Sequence, residues 1–203
     1  MSKKESKKLT IIKSSSIVVT IFGFLSYYQF FYEVEIPEYS RKDYKHWVDE
    51  DRDCQDTRQE VLISESLIEV KLDKKGCRVL SGRWYDPYTN KYFTNPKDLD
   101  VDHFVPLKEV HRSGGYEWSK ERKQEYANDL KNSETLIAVY KGANRSKSDR
   151  DPANWLPKNE KYVCEYVRVW VEIKDRWGLE SDKEEVVVIQ EVKEGCKNKK
   201  VES

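Results

Sequence analysis

Apolar and polar residues alternate along neighbouring stretches in the first half of the chain, and this alternation predicts a β-hairpin. Residues 67–72 (LIEVKL) form the first strand, residues 73–76 (DKKG) the turn, and residues 77–84 the return strand. After a second turn at residues 86–90, a further short strand is predicted over residues 91–94.

Helical spacing of apolar residues dominates the last third of the chain. In residues 159–177 the aromatic and branched residues recur every three or four positions and form one apolar stripe, which Gly178 ends. A capping-box pattern at residues 181–184 then begins a last helix over residues 182–194. Because the connection is short, the two helices are expected to form an antiparallel hairpin. Shorter helices are predicted over residues 57–63, where another capping box begins, and over residues 119–130.

Two polar segments in the middle of the chain carry the candidate chemistry. Residues 99–107 (LDVDHFVPL) contain Asp102 and His103, and a predicted strand over residues 134–140 leads to the second segment, residues 144–151 (NRSKSDRD). A carboxylate is a hard ligand suited to Mg²⁺, and an imidazole that titrates near neutrality suits a general base. We expect the two segments to meet and to bind one divalent metal ion beside one histidine base.

Each segment also has an ordinary interpretation when it is taken alone. His103 is then a structural histidine bonded to the backbone, and residues 144–151 are a solvated turn. A strand sends neighbouring side chains to opposite faces, so Asp102 can hold a metal while His103 faces a groove. The two segments together favour the functional interpretation.

Composition restricts the class of protein. The 203 residues suffice for one domain and an appendage, and aromatic residues make up 12%, which argues against a disordered chain. The formal net charge is zero, which speaks against a long tail that binds polyanions without specificity.

The N-terminal residues predict export. Residues 1–13 contain five lysines, and residues 14–32 follow as 19 uncharged, largely apolar positions. We interpret residues 1–33 as a signal peptide or a transmembrane signal anchor, because the uncharged run is just long enough for a spanning helix. The lack of a small-residue cleavage motif favours the anchor. Residues 34–48 are then a linker and residues 49–198 an extracytoplasmic domain, secreted or held at the outer face of the cytoplasmic membrane.

Four cysteines without any C-x-x-C spacing exclude zinc-binding patterns of the usual kind. They are either two disulfides or four inert thiols, depending on the compartment. The expected helical hairpin brings Cys164 and Cys196 together, and Cys54 and Cys77 are close enough in sequence to pair. We therefore predict the disulfides 54–77 and 164–196.

The two polar segments together resemble the motif of the HNH, or His-Me finger, endonucleases. The matching residues are DVDHFVP at 100–106, Asn132 ahead of the strand LIAV, and NRSKSD at 144–149. The chain is more closely similar to exported HNH nucleases with a domain like the GmrSD C-terminal domain. That likeness runs over about residues 53–196 and includes DCQDTRQEVL, CRVLSGRWYDPYT and NRSKSDRDPANWLP.

The resemblance implies an α+β fold with a ββα-metal core at about residues 99–152, an added β-hairpin and a C-terminal helical hairpin. It implies that His103 activates the attacking water and that Asp102 and Asn144 bind the metal. Asn132 would orient the loop and the base. Because Asn144 stands where many HNH proteins have histidine, the ligands are all oxygen atoms, which favours Mg²⁺ or Mn²⁺ over Zn²⁺.

The expected function is that of an exported, metal-dependent endonuclease acting on DNA, with RNA as a second candidate substrate. Arg145, Lys147 and Arg150 are candidate phosphate contacts, and Lys147 and Arg150 are preferred among them. No base-reading module is recognisable, so little sequence specificity is expected. The alternatives are a catalytically silent nucleic-acid-binding module at the membrane, as in DNA uptake, or a toxin or effector nuclease. No obligate protein partner is inferred, and the membrane is a partner only through an uncleaved N-terminal segment.

Overall fold

Two antiparallel strands, β1 (Thr10–Ile21) and β2 (Phe24–Glu35), form the N-terminal part of the protein. The computed structural model describes the backbone of residues 10–21 and 24–201 and the side chains of residues 35–198. The described part of the uncharged run is extended and not helical, as its β-branched and aromatic residues favour. Among the described residues, no helix has both the length and the apolar character needed to cross a membrane. That residues 1–33 direct export stays a prediction, and residues 1–9, 22 and 23 lie outside the described part.

A second unit begins at Tyr39 and contains the remaining elements. Its strands are β3 (Lys71–Leu72), β4 (Val79–Ser81), β5 (Trp84–Asp86), β6 (Lys91–Phe93), β7 (Leu99–His103) and β8 (Leu136–Tyr140). Its α-helices are α1 (Thr57–Ser64), α2 (Leu107–Arg112), α3 (Lys120–Ala127), α4 (Lys141–Lys147), α5 (Val163–Trp177) and α6 (Lys183–Val201). Short 3-10 turns lie at Arg41–Asp43, Pro96–Asp98 and Gly115–Glu117. The strands pair two by two as antiparallel ribbons, β3 with β4, β5 with β6, and β7 with β8.

Helix α1 confirms the predicted helix but uses a different cap. The carboxylate of Asp56 accepts the backbone N–H of Gln59 at 3.0 Å, so Asp56 is the N-cap residue. The hydroxyl of Thr57, which the capping-box pattern would use, donates instead to the carbonyl of Val48 at 2.9 Å. The cap moves because the hydroxyl of Thr57 is held by the carbonyl of Val48 and by the side chain of Asn128.

The C-terminal helical hairpin and both disulfides agree with the sequence predictions. Helix α5 ends at Gly178, whose φ of +66° lies in the left-handed region that favours glycine. Disulfides join Cys54 to Cys77 and Cys164 to Cys196, which confirms the predicted pairing. The strands are mostly shorter than predicted, and α2 is an additional helix over Leu107–Arg112.

Two groups of buried apolar residues lie on either side of the β7–β8 ribbon. Alternation along β7 places Leu99 and Val101 in the smaller group, beside Trp84 and α1. The neighbouring positions, Asp100 and Asp102, therefore point the other way, towards α4. The larger group is built on the apolar stripe of α5 and contains Tyr44, Tyr88, Phe104, Tyr126, Tyr166, Trp170 and Ile173.

The predicted linker over residues 34–48 is wrong from Tyr39 onward. Tyr44 is fully buried in the larger core group, and the backbone of Val48 is bonded to Thr57 and Asn128. Aromatic residues among the lysines of this polar stretch supply the apolar surface that packs it against the domain. The folded unit thus begins about ten residues before the boundary expected at residue 49.

The carboxylate of Glu65 provides a pH-dependent contact with β8. It accepts the backbone N–H of Ala138 at 2.7 Å, and burial raises the pKa of Glu65 from its ordinary 4.5 to about 7, although this hydrogen bond opposes the rise. The folded state therefore binds this proton more tightly than the unfolded state does. Its stabilising contribution is present below the ordinary pKa and is lost as the pH rises through about 7.

Replacing Glu65 by Gln should remove this dependence, because the amide cannot ionise yet still accepts the Ala138 N–H. Between about pH 5 and about pH 8 the wild-type protein should lose about 2 kcal/mol of unfolding free energy relative to Glu65→Gln. Urea unfolding at both pH values measures this difference. Glu69→Gln, at an exposed position, is the control. If the unfolding free energies of the wild type and Glu65→Gln differed by the same amount at both pH values, the raised pKa of Glu65 would be contradicted.

Candidate functional site

The two polar segments meet at a cavity of about 510 Å³. Its walls are the C-terminal end of β7, the beginning of α2, the last turns of α4 and residues 39–41. The polar residues that line it are Tyr39, Arg41, Asp102, His103, Lys108, Asn144, Arg145, Ser148 and Asp149. Both members of the Asp-His pair and the first asparagine of the second segment therefore face one space.

The imidazole of His103 is held in a defined tautomer. Its Nε2 lies 3.0 Å from the carbonyl oxygen of Ala127. Because a carbonyl only accepts, Nε2 carries the proton and Nδ1 keeps its lone pair. Burial lowers the pKa of His103 to about 3, while the Ala127 carbonyl opposes the shift. His103 is therefore neutral near pH 7, and the lone pair of its Nδ1 can accept a hydrogen bond.

The carboxylate of Asp102 is paired with a buried lysine. The ammonium of Lys147 donates to Asp102 Oδ2 at 2.6 Å and to the carbonyl of His103 at 3.1 Å. The hydroxyl of Tyr88 donates to the same carboxylate oxygen at 2.9 Å. Burial raises the pKa of Asp102 and lowers that of Lys147, since each charged form loses its hydration, and their mutual attraction opposes both shifts.

The position of Lys147 corrects the predicted contact with substrate phosphate. Its side chain has no exposed surface, so the ammonium cannot reach a ligand without breaking its bond to Asp102. Lys147 is the counter-ion of Asp102. Sequence reasoning missed this role, because a lysine between two serines in a polar segment is normally exposed.

The other two predicted phosphate contacts, Arg145 and Arg150, differ in whether they line the cavity. Arg145 lines the cavity, is largely exposed and lies 3.9 Å from Asp100. Arg150 is exposed too, but its guanidinium donates to the carbonyl of Lys147 and is not among the residues that line this cavity. Of the cations in the second segment, Arg145 is thus the one placed to meet a ligand there.

Asn132 also lies away from the cavity. Its side-chain oxygen accepts the N–H of Glu134 in the turn before β8, and it lines a different depression of the surface. The backbone position that meets the Asp-His segment is Thr135, whose carbonyl accepts the N–H of Phe104 at 3.0 Å. The orienting role expected for Asn132 has no support from these contacts, and Ala127 is the residue that holds the imidazole.

The oxygen donors of the cavity fit a hard divalent cation. Both described donors to Asp102 lie on Oδ2, so Oδ1 is the atom through which this carboxylate could bind a metal. Asn144 donates from Nδ2 to Asp100 at 3.2 Å, which leaves its Oδ1 as the acceptor. Mg²⁺ commonly binds one or two protein oxygen atoms and keeps several water ligands, and Oδ1 of Asp102 and Oδ1 of Asn144 are two such oxygen atoms.

A series of ion pairs connects the wall of the cavity to the C-terminal helices. Glu109 on α2 accepts the Lys174 ammonium of α5 at 2.9 Å, and Lys174 also meets Glu185 of α6 at 2.6 Å. Arg112 joins Glu109 to Asp149 at the cavity wall. Burial acts to raise the pKa of Glu109, but Lys174 and Arg112 together bring it below its ordinary value. The C-terminal hairpin is therefore connected to the site by ion pairs.

Removing the Lys147 ammonium should destabilise the protein strongly. Lys147→Met leaves the buried Asp102 carboxylate without its counter-ion, which costs about 3–5 kcal/mol of unfolding free energy. Adding Asp102→Asn removes the unpaired charge, so the double variant should recover most of that loss. Urea unfolding of the single variants and the double variant measures the coupling. Additive effects would show that the two side chains act independently.

The family assignment rests on comparison with known proteins. A model of the family described as GmrSD restriction endonucleases, C-terminal domain, matches residues 54–192. An uncharacterized secreted protein of Arthroderma benhamiae is 37% identical over 141 residues, which are 70% of this chain and 67% of that protein. No solved structure matches the chain. Since the family match covers well over half of the chain, the protein belongs to the GmrSD restriction endonuclease C-terminal domain family.

Proposed function

We propose that this protein is an HNH-type endonuclease that hydrolyses phosphodiester bonds of DNA, and of RNA as a second substrate, with little sequence specificity. One observation carries the proposal. A neutral His103, with its Nε2 proton committed to Ala127, shares a cavity with the oxygen donors Asp102 and Asn144. Membership of a restriction endonuclease family supports the same conclusion.

The order of elements supports a ββα-metal core. The antiparallel strands β7 and β8 pair from Leu99 with Tyr140 to His103 with Leu136. Helix α4 follows β8 directly and returns Asn144 to the side of β7. Strand β7 thus supplies both the base and the carboxylate, its partner β8 leads into α4, and α4 supplies the amide oxygen.

His103 acts as the general base in the proposed reaction. Nδ1 takes a proton from a water molecule as the water oxygen forms a bond to the phosphorus atom. The bond from phosphorus to the O3′ leaving oxygen breaks, and that oxygen takes its proton from solvent. A Mg²⁺ or Mn²⁺ ion held by Asp102 and Asn144 would stabilise charge on the phosphate and on the leaving oxygen.

Two further residues serve this step. Lys147 keeps the Asp102 carboxylate in place and limits the negative charge at the metal site, because it neutralises that carboxylate from the buried side. Arg145, exposed at the edge of the cavity, is the residue of the second segment that would meet a substrate phosphate.

We further propose that the protein acts outside the cytoplasm. Two disulfides are typical of proteins in oxidising compartments, and the relative in Arthroderma benhamiae is a secreted protein. The apolar N-terminal segment is the candidate export signal.

The purified protein with Mg²⁺ should nick and linearise plasmid DNA. His103→Ala should lower the rate by at least about a hundredfold, because general-base catalysis contributes that much. Asn144→Ala should also lose activity while keeping the melting temperature within a few degrees, and EDTA should stop the wild-type reaction. Agarose gels with DNA and RNA substrates in parallel measure cleavage by the wild-type protein, by both variants and in the presence of EDTA. Equal cleavage by wild type and His103→Ala would exclude the proposed base, and no cleavage by wild type would favour a silent binding module.

The two arginines of the second segment offer a matched comparison. Arg145→Gln should raise KM for DNA by about fivefold with little change in kcat, because it removes a phosphate contact at the cavity. Arg150→Gln should leave KM unchanged, since Arg150 does not line that cavity. Steady-state cleavage of a labelled oligonucleotide gives both constants. The reverse ranking would restore Arg150 as the substrate contact.

A further inference from the structure

Residues 39–48, here called the strap, lie outside the region that matches the family model and yet form part of the cavity. Tyr39 and Arg41 of the strap line the cavity beside Asp102 and His103. The family match begins only at residue 54. A role for the strap is therefore a property of this chain that the family assignment does not supply.

The strap is fixed to the same turn that holds the base. Asn128 accepts the N–H of Val48 at 3.0 Å and donates to the carbonyl of Lys45 at 2.7 Å. Its neighbour Ala127 accepts the Nε2 proton of His103. In the middle of the strap, Tyr44 is fully buried in the core. The strap and the imidazole thus share one anchor at the end of α3.

Arg41 is oriented by a second histidine. Its guanidinium lies 3.3 Å from His46 Nε2, and His46 Nδ1 lies 3.0 Å from the carbonyl of Tyr44. Because that carbonyl accepts the Nδ1 proton, Nε2 accepts from the guanidinium. The described partner of Arg41 is then an imidazole nitrogen, whereas Lys108 at the same cavity is paired with the carboxylate of Asp149 at 2.8 Å. Arg41 brings an oriented positive charge to the cavity.

Trp47 covers the imidazole of His103. The two rings are nearly parallel, with centroids 5.5 Å apart and planes inclined by 26°. Trp47 has a φ of +58°, in the left-handed region that bulky residues rarely occupy. Such strain persists only where surrounding contacts enforce it, and it concentrates at functional sites. Here the hydrogen bonds of Asn128 to Lys45 and Val48 enforce it on both sides of Trp47.

We propose that the strap completes the active site, with Arg41 binding a phosphate of the nucleic-acid substrate and Trp47 acting as a positioning residue for His103. This inference rests on the proposed nuclease function and adds to it a cation and a stacking surface from outside the family domain. Arg41 and Arg145 reach the cavity from separate parts of the chain, so a phosphodiester backbone bound there meets positive charge from both. Trp47 fixes the plane of the imidazole and hence the direction in which Nδ1 points.

The phosphate contact is tested by binding, in the full-length His103→Ala background, which prevents cleavage. Removing one phosphate contact reduces the slope of log Kd against log salt concentration by about 0.9. Arg41→Gln should show this reduction with a labelled DNA duplex, measured by fluorescence anisotropy. Lys42→Gln is the matched control, because Lys42 lies in the same 3-10 turn, is exposed and does not line the cavity. Equal slopes for the two variants would overturn the role of Arg41.

The positioning role is tested by kinetics of the otherwise wild-type protein. Trp47→Leu should lower kcat by about tenfold with KM unchanged, because a misdirected base slows the chemical step. Trp47→Phe retains an aromatic ring and should recover most of the rate. Melting temperatures identify any general loss of folding. A wild-type kcat in Trp47→Leu would overturn the proposal for this residue.

The outcome separates this inference from the proposed function. If the wild-type protein cleaves no nucleic acid, the nuclease proposal fails, while the salt slopes still decide the role of Arg41. The ¹⁵N-histidine NMR signal of His103 then tests the role of Trp47. Loss of the stacked indole in Trp47→Leu should change the chemical shift of this signal, and an unchanged chemical shift would overturn the role of Trp47. If the protein cleaves and all strap variants behave as wild type, the strap proposal alone fails.

Discussion

The ion pair between Asp102 and Lys147 is the interaction on which the candidate site depends. A buried ammonium must be compensated, and here Asp102 and the carbonyl of His103 do so together. Helix α4 therefore cannot move away from β7 without leaving a charge unpaired in the interior. Because Asn144 lies one turn earlier on α4, the same constraint holds it beside β7, where it reaches Asp100. The burial of one charge thus fixes the relative position of the proposed base and both proposed metal ligands.

A second constraint comes from two consecutive residues at the end of α3. Ala127 sets the tautomer of His103, and Asn128 holds the strap whose Trp47 covers that imidazole. The tautomer of His103 and the position of Trp47 thus both depend on one short turn, although His103, the strap and the turn are far apart in sequence. Ala127 and Trp47 thus orient the imidazole, while its burial keeps it neutral.

What the sequence can predict follows from the range of the interactions involved. The apolar stripe of α5, the glycine that ends it and both cysteine pairs depend on local periodicity and short connections, and those predictions are confirmed. The resemblance to HNH endonucleases predicts that Asp102, His103 and Asn144 meet. The burial of Lys147 and the packing of the strap are beyond such reasoning, because each depends on a partner about 45 or more residues away. Residue type alone suggests a solvated lysine and a polar linker, and tertiary contacts decide otherwise.

The buried charges also connect the site to the compartment in which the protein is proposed to act. The Cys164–Cys196 disulfide closes a loop of 32 residues around the α5–α6 hairpin, which stabilises the folded state by about 3–4 kcal/mol in the chain-entropy model. Glu185 of that hairpin compensates Lys174, and Lys174 in turn compensates Glu109 behind the cavity. Undocking of α6 would leave Lys174 with one carboxylate in place of two. In a chain with so many charged residues, an oxidising environment, in which this cross-link forms, therefore stabilises the folded state that contains the ion pairs behind the candidate site.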